Sequence, residues 1–397
     1  MTRQRRVTKW TWKRLLVRLG LLATGLLLGL VAAEIGLRLV GVSYPLPYVP
    51  DPYCGSRLRP GMVAEFTAEG HAWVCINQDG YRDRPHTHHK PANTFRIAVL
   101  GDSFAEAFQV SRDETFWAVL ERELQDANVW DGQTVEVLNF GVSGFGTAQA
   151  LEMLRHYVWT YEPDLVLLAF FTGNDISDNS KTLSPDAVRP YYLPGPSGLV
   201  LDQSFRQHPH YVDAQSGFSK LKVAWINRLR ILQVLRQWRA QNRLRPSQPD
   251  STADPGLDPS FTTPQDNAWK EAWQITEQLL AMMHAETRSH DAEFLVVVLS
   301  NGEQVHPDTQ RREELQKRLG VADLLYADRR VESFCRQEGI PVILLAPRLQ
   351  HYAEQHQVYL HGFPNTQLGS GHWNVDGHAV AGQVIADEIR RRASRSD

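Results

Sequence analysis

The chain contains 397 residues, of which 42% are hydrophobic and 22% are charged, and its formal net charge at pH 7 is −3. It therefore has ample apolar material for one large core. The small net charge gives no argument for a nucleic-acid partner, and we expect none.

The amino terminus has the pattern of a membrane anchor. Residues 1–18 carry many Lys and Arg side chains and no acid, and the apolar stretch Leu19–Ala33 follows. Apolar neighbours on both sides lengthen it toward the roughly twenty residues that a spanning helix needs, and Glu34 and Arg38 are spaced to pair beyond its end. This predicts that residues 1–43 form a cytoplasmic basic segment and one transmembrane helix, with the remainder periplasmic or extracellular.

A cleaved signal peptide is the alternative interpretation of this segment. Ala32 and Ala33 resemble the small residues of a cleavage site. However, Glu34 and the apolar positions within 37–40 continue a helical pattern instead of beginning a mature chain. We therefore favour an uncleaved signal-anchor.

Residues 44–93 are rich in Pro, Gly and isolated aromatic residues, and Asp79-Gly80 is a turn signal. This composition predicts a small irregular or β subdomain. In an exported chain, Cys54 and Cys75 could form a disulfide; the alternative is that they and Cys335 are unrelated small apolar residues. No Cys or His spacing is typical of a zinc site, and we expect no metal.

Residues 94–393 alternate between strand and helix patterns. Apolar, β-branched runs predict strands at 96–100, 135–139, 164–171, 293–299 and 341–345, and helical patterns occupy 147–160, 267–288 and 322–338. Five strands connected in this way imply a parallel sheet in a three-layer α/β/α domain of the α/β class.

Polar, glycine-rich blocks follow the first three of these strands. Open α/β sheets have their active sites at the carboxyl ends of the strands, so Ser103, Gly141 and Asn174 should meet at one edge. A serine nucleophile needs a base and preorganised donors for the oxyanion that forms. The backbone N–H groups of Ser103 and Gly141 and the side-chain amide of Asn174 fit the donor role. Glycine at 141 would leave its N–H open to an approaching carbonyl.

An insert interrupts the alternation at about 177–263. Its ends are rich in proline, and its centre, residues 220–245, has the pattern of a basic amphipathic helix without acidic residues. Such a helix could bind an anionic membrane surface or an anionic glycan. We favour a lid helix over the active site, because the insert begins directly after the block that contains Asn174.

Four blocks, Gly101–Phe104, Asn139–Gly144, Gly173–Asp175 and His372–His378, resemble in kind and order the SGNH, or GDSL, serine hydrolases of the membrane-anchored bacterial type. The resemblance implies a flavodoxin-like parallel five-stranded sheet, with Ser103 as nucleophile and His372 as base. It also implies an oxyanion hole formed by Ser103, Gly141 and Asn174. It implies no cofactor.

One position departs from the family pattern. The family usually has a carboxylate two or three residues before the catalytic histidine, where this chain has Ser370 and Gly369. A Ser-His dyad, an orienting group such as Ser370, and a carboxylate from elsewhere in the chain all remain open. Asp376 is a further candidate orienter, but its position is more typical of an acid in the first turn of a helix.

A second register would pair Asp376 with His378 as the base. The His-Trp-Asn-x-x-Gly-His pattern favours the first histidine, His372.

Together these features predict an exported, membrane-anchored serine esterase that hydrolyses acyl esters, such as acetyl esters, of a carbohydrate or lipid through an acyl-enzyme. The partners would be a small-molecule, glycan or lipid ester substrate and, through the N-terminal helix, a membrane. One alternative is a cell-envelope O-acyltransferase with the same nucleophile. The other is a non-catalytic glycan-binding module, which the missing carboxylate would permit.

Overall fold

The computed structural model describes residues 8–184, 186–196, 198–243 and 258–396. Its strands are β1 (Tyr48–Asp51), β2 (Gly55–Leu58), β3 (Val63–Phe66), β4 (Ala72–Cys75), β5 (Thr94–Gly101), β6 (Thr134–Asn139), β7 (Leu165–Phe170), β8 (Tyr191–Gly195), β9 (Gly198–Asp202), β10 (Glu293–Val298) and β11 (Val342–Leu344). Its helices are α1 (Thr8–Leu39), α2 (Ser103–Glu106), α3 (Phe116–Asp126), α4 (Thr147–His156), α5 (Asp175–Asp178), α6 (Pro209–Gln215), α7 (Gly217–Arg228), α8 (Arg230–Arg243), α9 (Asp258–Phe261), α10 (Asn267–Ser289), α11 (Thr309–Leu319), α12 (Tyr326–Gln337), α13 (Ala346–His356) and α14 (Val375–Ser396).

A parallel five-stranded sheet in the order β11-β10-β7-β5-β6 forms the centre of the fold. Side chains alternate across it, so that Ala98 and Leu100 of β5 pack on one face while Ile97 and Val99 pack on the other. Helices α4, α10 and α12 cover the first face, and α3, α13 and α14 cover the second. The predicted three-layer α/β/α architecture is confirmed, and each of the five predicted strands is present with slightly shifted ends.

The segment predicted as a small irregular or β subdomain contains two antiparallel hairpins. One pairs β1 with β2, and the other pairs β3 with β4 through the connecting residues 67–71. Cys54, Cys75 and Cys335 are all free thiols, so the structure has no disulfide between Cys54 and Cys75.

The chain forms two compact units, Met1–Leu46 with Lys220–Ser247, and Pro47–Ser219 with Gln248–Asp397. The second unit contains the five-stranded sheet and, from the insert, the β8–β9 hairpin, α6 and α9. The first contains α1, α8 and most of α7. Within the described residues, Trp12–Leu39 of α1 is the one helix that is long and apolar enough to cross a membrane.

The prediction of a single helix over residues 220–245 is wrong. The segment forms two helices, α7 and α8, which are separated at Leu229, and positions 244–245 lie outside the described residues. The ends of both helices find partners on α1. Arg38 Nη2 donates to the carbonyl of Arg228 (2.5 Å), and the N–H groups of Arg230 and Ile231 donate to the Glu34 carboxylate (both 3.1 Å). Because these contacts satisfy the exposed backbone groups, the helix can break there without leaving them unpaired.

Candidate active site

Ser103 is the first residue of α2, directly after the carboxyl end of β5. The Asp102 side chain caps this short helix by accepting a hydrogen bond from the N–H of Phe104 (2.9 Å). Burial raises the pKa of Asp102 to about 6, although the Phe104 hydrogen bond lowers it. The strand end and the cap together hold the serine at the edge of the sheet.

His372 lies against this serine. Its Nε2 is 2.7 Å from Ser103 Oγ, a distance suited to transfer of the hydroxyl proton. His372 precedes α14, in a loop at the same edge of the sheet. The structure therefore brings the predicted nucleophile and the predicted base into direct contact.

Glu69 occupies the position of the orienting acid. Its Oε2 is 2.5 Å from His372 Nδ1, and its Oε1 accepts a hydrogen bond from the His372 backbone N–H (2.8 Å). An ionised carboxylate on Nδ1 selects the tautomer whose Nε2 can accept the serine proton. Ser103, His372 and Glu69 thus form one continuous chain of hydrogen bonds.

No sequence pattern predicted a functional role for Glu69. The residue lies between β3 and β4, 303 positions before His372. No local pattern marks it, since a glutamate in a short hairpin connection is ordinary. Of the three alternatives that the sequence left open for orienting His372, only a carboxylate from elsewhere in the chain includes Glu69.

The glycines before His372 explain why the acid is not found there. Gly371 has φ +79, and a Cβ at this residue would lie 2.2 Å from Glu69 Oε1. Gly369 has φ +81, and its Cβ would lie 2.8 Å from the His306 ring. A side chain at either position would be strained and would collide with a neighbour. The two glycines therefore leave room for a carboxylate from another part of the chain.

The other candidate orienters lie elsewhere. Ser370 lines the cavity beside Ser103, and its backbone N–H donates to Gln367 (3.4 Å). Asp376 is exposed in the first turn of α14. His378 is buried, and its Nδ1 accepts a hydrogen bond from the N–H of Phe116 (3.2 Å). Among the described residues, the partner of His372 Nδ1 is Glu69.

Charge coupling within the triad shifts two pKa values in opposite directions. Burial by itself would raise the pKa of Glu69, but the hydrogen bonds and charge of His372 outweigh it and hold the pKa below its ordinary value. Burial would likewise lower the pKa of His372, but the hydrogen bond and charge of Glu69, with the charges of Asp102 and Glu106, raise it. The pair therefore favours an ionised acid beside a more basic imidazole.

A buried network of hydrogen bonds fixes the loop that contains Gly371 and His372. The His361 ring is fully buried between the carbonyl of Gly371 (2.8 Å from Nδ1) and the hydroxyl of Ser300 (3.1 Å from Nε2). The indole N–H of Trp373 donates to the same hydroxyl (3.0 Å). Burial lowers the pKa of His361 to about 4, so at neutral pH the ring is uncharged and can donate through one nitrogen and accept through the other.

Asn365 holds the connection that carries Glu69. Its Oδ1 accepts from the N–H of Gly70 (2.9 Å), and its Nδ2 donates to the carbonyls of Thr67 (3.1 Å) and Gly70 (2.9 Å). These three bonds link the β3–β4 connection to the segment that leads to His372. We therefore expect Asn365 to be a positioning residue that acts through Glu69.

Replacing Asn365 with alanine should lower kcat by about a hundredfold, because a misplacement on the order of 1 Å in an active site has this effect. The acidic limb of the pH profile should also move to lower pH, since a displaced Glu69 no longer raises the His372 pKa. Kinetics across pH would measure both. Gln367→Ala, which changes an exposed side chain of the same loop, is the matched control. A loss of activity without the pH shift would contradict the positioning role.

Asn174 lines the same cavity as Ser103 and His372. Its Nδ2 donates to Asp178 (3.2 Å), which fixes the direction of the amide. The N–H of Phe171 donates to Asp175 (2.9 Å), which holds the turn that follows β7. The position of Asn174 beside the serine fits the predicted donor role.

Gly141 does not fit the donor role that the sequence suggested. Its N–H already donates to the Asn139 side chain (3.0 Å), and the residue is buried. A Cβ at this residue would lie 2.4 Å from the Cβ of Ala105, so glycine is required for packing against α2 and not for access of a carbonyl. The other glycine of this block, Gly144, is exposed with φ +76, and its N–H has no partner among the described residues.

Glu106 is the last residue of α2 and connects this helix to Ser143 and Gly144. Its carboxylate accepts from the backbone N–H of Ser143 (3.1 Å), from the Ser143 hydroxyl and from the Tyr48 hydroxyl (3.0 Å). Burial raises the pKa of Glu106 to about 7, although the hydrogen bonds from Ser143 lower it. The contact fixes the Ser143-Gly144 turn relative to Ser103.

A cavity of about 230 Å³ opens at the triad. The rings of Phe104 and Phe171 provide apolar walls, and Asn174, Asn301 and Glu303 provide polar ones. This volume is below the range of about 300–1,000 Å³ that is usual for sites of drug-sized ligands. Among the described residues, no group of three or more His, Cys, Asp or Glu side chains is arranged to hold a metal ion.

No protein-family model matches the chain, and no curated protein matches it. Among solved structures, it is similar to the acetyl xylan esterase AlAXEase, with 11% identity and a TM-score of 0.36 over 74% of this chain and 98% of that chain. It is also similar to a putative lipolytic protein of the G-D-S-L family from Desulfitobacterium hafniense DCB-2, with 11% identity and a TM-score of 0.34 over 74% and 98%. A catalytic mutant of Axe2, an acetylxylan esterase from Geobacillus stearothermophilus, has 12% identity and a TM-score of 0.38 over 74% and 94%.

Proposed function

We propose that the chain is a serine esterase of the SGNH type that uses a Ser103–His372–Glu69 triad. The observation that carries this proposal is the continuous contact from Glu69 through both nitrogens of the His372 ring to Ser103 Oγ. The missing carboxylate had permitted a non-catalytic glycan-binding module. Glu69 lies where the histidine needs a carboxylate, which supports a catalytic role instead.

In the first half-reaction, His372 Nε2 takes the proton of the Ser103 hydroxyl as Oγ attacks the ester carbonyl carbon. Glu69 stabilises the imidazolium that results. The tetrahedral oxyanion would accept hydrogen bonds from the Ser103 N–H and the Asn174 amide, with Gly144 in place of Gly141 as the third donor. The C–O bond to the alcohol then breaks, and His372 donates its proton to the leaving oxygen.

In the second half-reaction, water replaces the alcohol. His372 Nε2 takes a proton from water as its oxygen attacks the acyl carbon on Ser103. The intermediate expels Ser103 Oγ, which recovers a proton from His372, and the carboxylic acid is released. The cycle needs no group beyond these side chains and water.

The direct test is active-site labelling with a fluorophosphonate, together with turnover of an aryl acetate. We expect one covalent adduct, located on Ser103 by peptide mass spectrometry, and release of acetate into water. Adding sugar acceptors would reveal acyl transfer as an acylated sugar in place of free acid. A folded chain that neither takes the label nor releases acetate would contradict the proposal.

The small cavity supports a short acyl group, such as acetyl. For p-nitrophenyl esters we expect kcat/KM to fall by at least about tenfold from acetate to octanoate, because each methylene that the pocket does not accommodate weakens transition-state binding. The measurement is initial rate against concentration across the series, corrected for spontaneous hydrolysis. Values of kcat/KM that rise with the length of the acyl group would instead indicate a lipid esterase.

We further propose that α1 is an uncleaved anchor and that the catalytic unit is exported. The continuity of α1 to Leu39, past the small residues Ala32 and Ala33, supports the anchor. The basic residues before the apolar stretch support a cytoplasmic amino terminus. Mass spectrometry of the membrane-extracted protein should find the intact amino terminus; a chain beginning near Glu34 would indicate a cleaved signal peptide.

A further inference from the structure

The end of the apolar stretch of α1 binds the basic segment of the insert. Glu34 and Arg38 form an ion pair (2.8 Å), and both also contact the break between α7 and α8. Glu34 accepts from the first two N–H groups of α8, while Arg38 donates to the last carbonyl of α7. A carboxylate at a helix amino terminus and a cation at a carboxyl terminus both complement the helix dipole.

Further contacts extend this attachment beyond α1. The N–H of Tyr44 donates to Gln233 (2.8 Å), the N–H of Leu46 donates to Asn227 (3.0 Å), and Arg230 Nη1 donates to the Ser43 hydroxyl (2.6 Å). Polar contacts therefore hold both α7 and α8 to the segment that leaves α1.

The position of this attachment along α1 determines its depth in a bilayer. The uninterrupted apolar stretch ends at Ala33, and Glu34 is the next residue. If α1 spans the membrane, Glu34 and Arg38 lie where hydrocarbon gives way to headgroups, because charged side chains are excluded from the hydrocarbon core. The break between α7 and α8 then lies at the same depth.

The surface of the two helices has the composition of a membrane interface. The apolar side chains of Leu221 (58% exposed), Trp225 (54%), Leu235 (45%) and Trp238 (60%) lie open on α7 and α8. The same two helices carry the exposed cations Lys220, Lys222, Arg228 and Arg239. The sequence of residues 217–239 contains no acidic residue. Tryptophan favours the interface, while long basic side chains can place an aliphatic stem in it and a charge among phosphates.

We propose that α7 and α8 lie on the outer surface of an anionic lipid bilayer beside the exit of α1, with Trp225 and Trp238 at the level of the headgroups. The inference rests on the proposed anchor role of α1. The lipid surface is favoured over a soluble anionic glycan, because the same residues that mark the membrane boundary on α1 hold the basic helices. The lid role favoured from the sequence stays a prediction.

The test places a polarity-sensitive fluorophore at single cysteines of the full chain, in vesicles of phosphatidylcholine with or without phosphatidylglycerol. Cys75→Ser removes the exposed native thiol, while Cys54 and Cys335 are buried. The probe replaces Trp238 on α8, Leu27 on α1 or the exposed Gln337 on α12. Spin-labelled lipid and aqueous iodide serve as the two quenchers.

We expect the Trp238→Cys probe to be quenched by spin-labelled lipid and shielded from iodide, with stronger shielding when phosphatidylglycerol is present. Charge reversal at Lys220, Lys222 and Arg239 to glutamate should abolish the phosphatidylglycerol dependence and leave the Leu27→Cys signal unchanged. The Gln337→Cys probe should remain open to iodide.

Two results would overturn the inference while leaving the anchor intact. In the first, iodide quenches the Trp238→Cys probe as strongly as the Gln337→Cys probe, while the Leu27→Cys probe lies in the acyl layer. The other is shielding of Trp238→Cys by a soluble anionic polysaccharide and not by lipid. Iodide access at Leu27→Cys would instead show that the anchor proposal fails, and the inference would fail with it.

Discussion

Replacing Glu69 with alanine is expected to lower kcat for ester hydrolysis by about four orders of magnitude, the loss that follows removal of the orienting charge from a related triad. Without the carboxylate, His372 loses the contact on Nδ1 and the one on its backbone N–H. Its ring is then free to take the wrong tautomer or to turn away from Ser103. Stopped-flow or steady-state kinetics with an aryl acetate would measure the effect.

Glu65 provides a matched control for this experiment. It lies on β3 of the same hairpin, and its carboxylate contacts the exposed ring of His71 (3.0 Å). Exposed ion pairs contribute little, so Glu65→Ala should keep nearly the full rate. Comparable rates for Glu69→Ala and the unchanged chain would show that the acid has no catalytic part.

Glu69→Gln separates charge from shape at the same position. The base must be neutral to accept the serine proton, so kcat/KM rises with pH through the His372 pKa. Glu69 raises that pKa, and the neutral amide should therefore move the acidic limb of the profile to lower pH while the rate at its plateau falls. An unmoved limb would mean that another group sets the protonation of His372.

Ser103→Ala and His372→Ala should each lower kcat by about 10⁶-fold and abolish fluorophosphonate labelling, because each removes a group that the acyl-enzyme requires. Adding Glu69→Ala to Ser103→Ala should cause little further loss, since the three residues act as one unit. The assay is turnover at enzyme concentrations high enough to detect the residual rate.

Ser370→Ala and Asp376→Ala are the matched controls for this series. Ser370 lines the cavity and Asp376 lies in the first turn of α14, and neither should change the rate by more than a few fold. Labelling that persists in Ser103→Ala would reject the assigned nucleophile. A large loss of rate in Ser370→Ala would indicate that Ser370 orients His372.

The sequence predicted the layers of the fold because strands β5, β6, β7, β10 and β11 are locally encoded as short apolar runs between turns. It also predicted a nucleophile at Ser103 and a base at His372, which lie in compact motifs, and the structure places the two side chains in contact. Glu69 was missed because its role arises only when the β3–β4 connection meets a loop some 300 residues later. The donor role predicted for Gly141 does not fit for a related reason. Its N–H donates to the Asn139 side chain, and the sequence does not reveal the direction of that side chain.

The break at Leu229 illustrates the same limit at the level of secondary structure. Residues 220–245 have an uninterrupted helical pattern, and no proline or glycine marks the break. The groups that stabilise it belong to α1, almost 200 residues earlier. Tertiary contacts therefore divided a segment that local propensity would have kept as one helix.

The separation of Glu69 from His372 also has a consequence for biosynthesis. Ribosomes make Glu69 and Ser103 long before His372, which follows Ser103 by 269 positions. A nascent chain in which His372 has not yet been made therefore lacks the proposed base, although it already contains Ser103 and Glu69. The proposed triad is complete only when the loop that contains His372 docks on the β3–β4 hairpin, so we expect a product that stops before His372 to be inert.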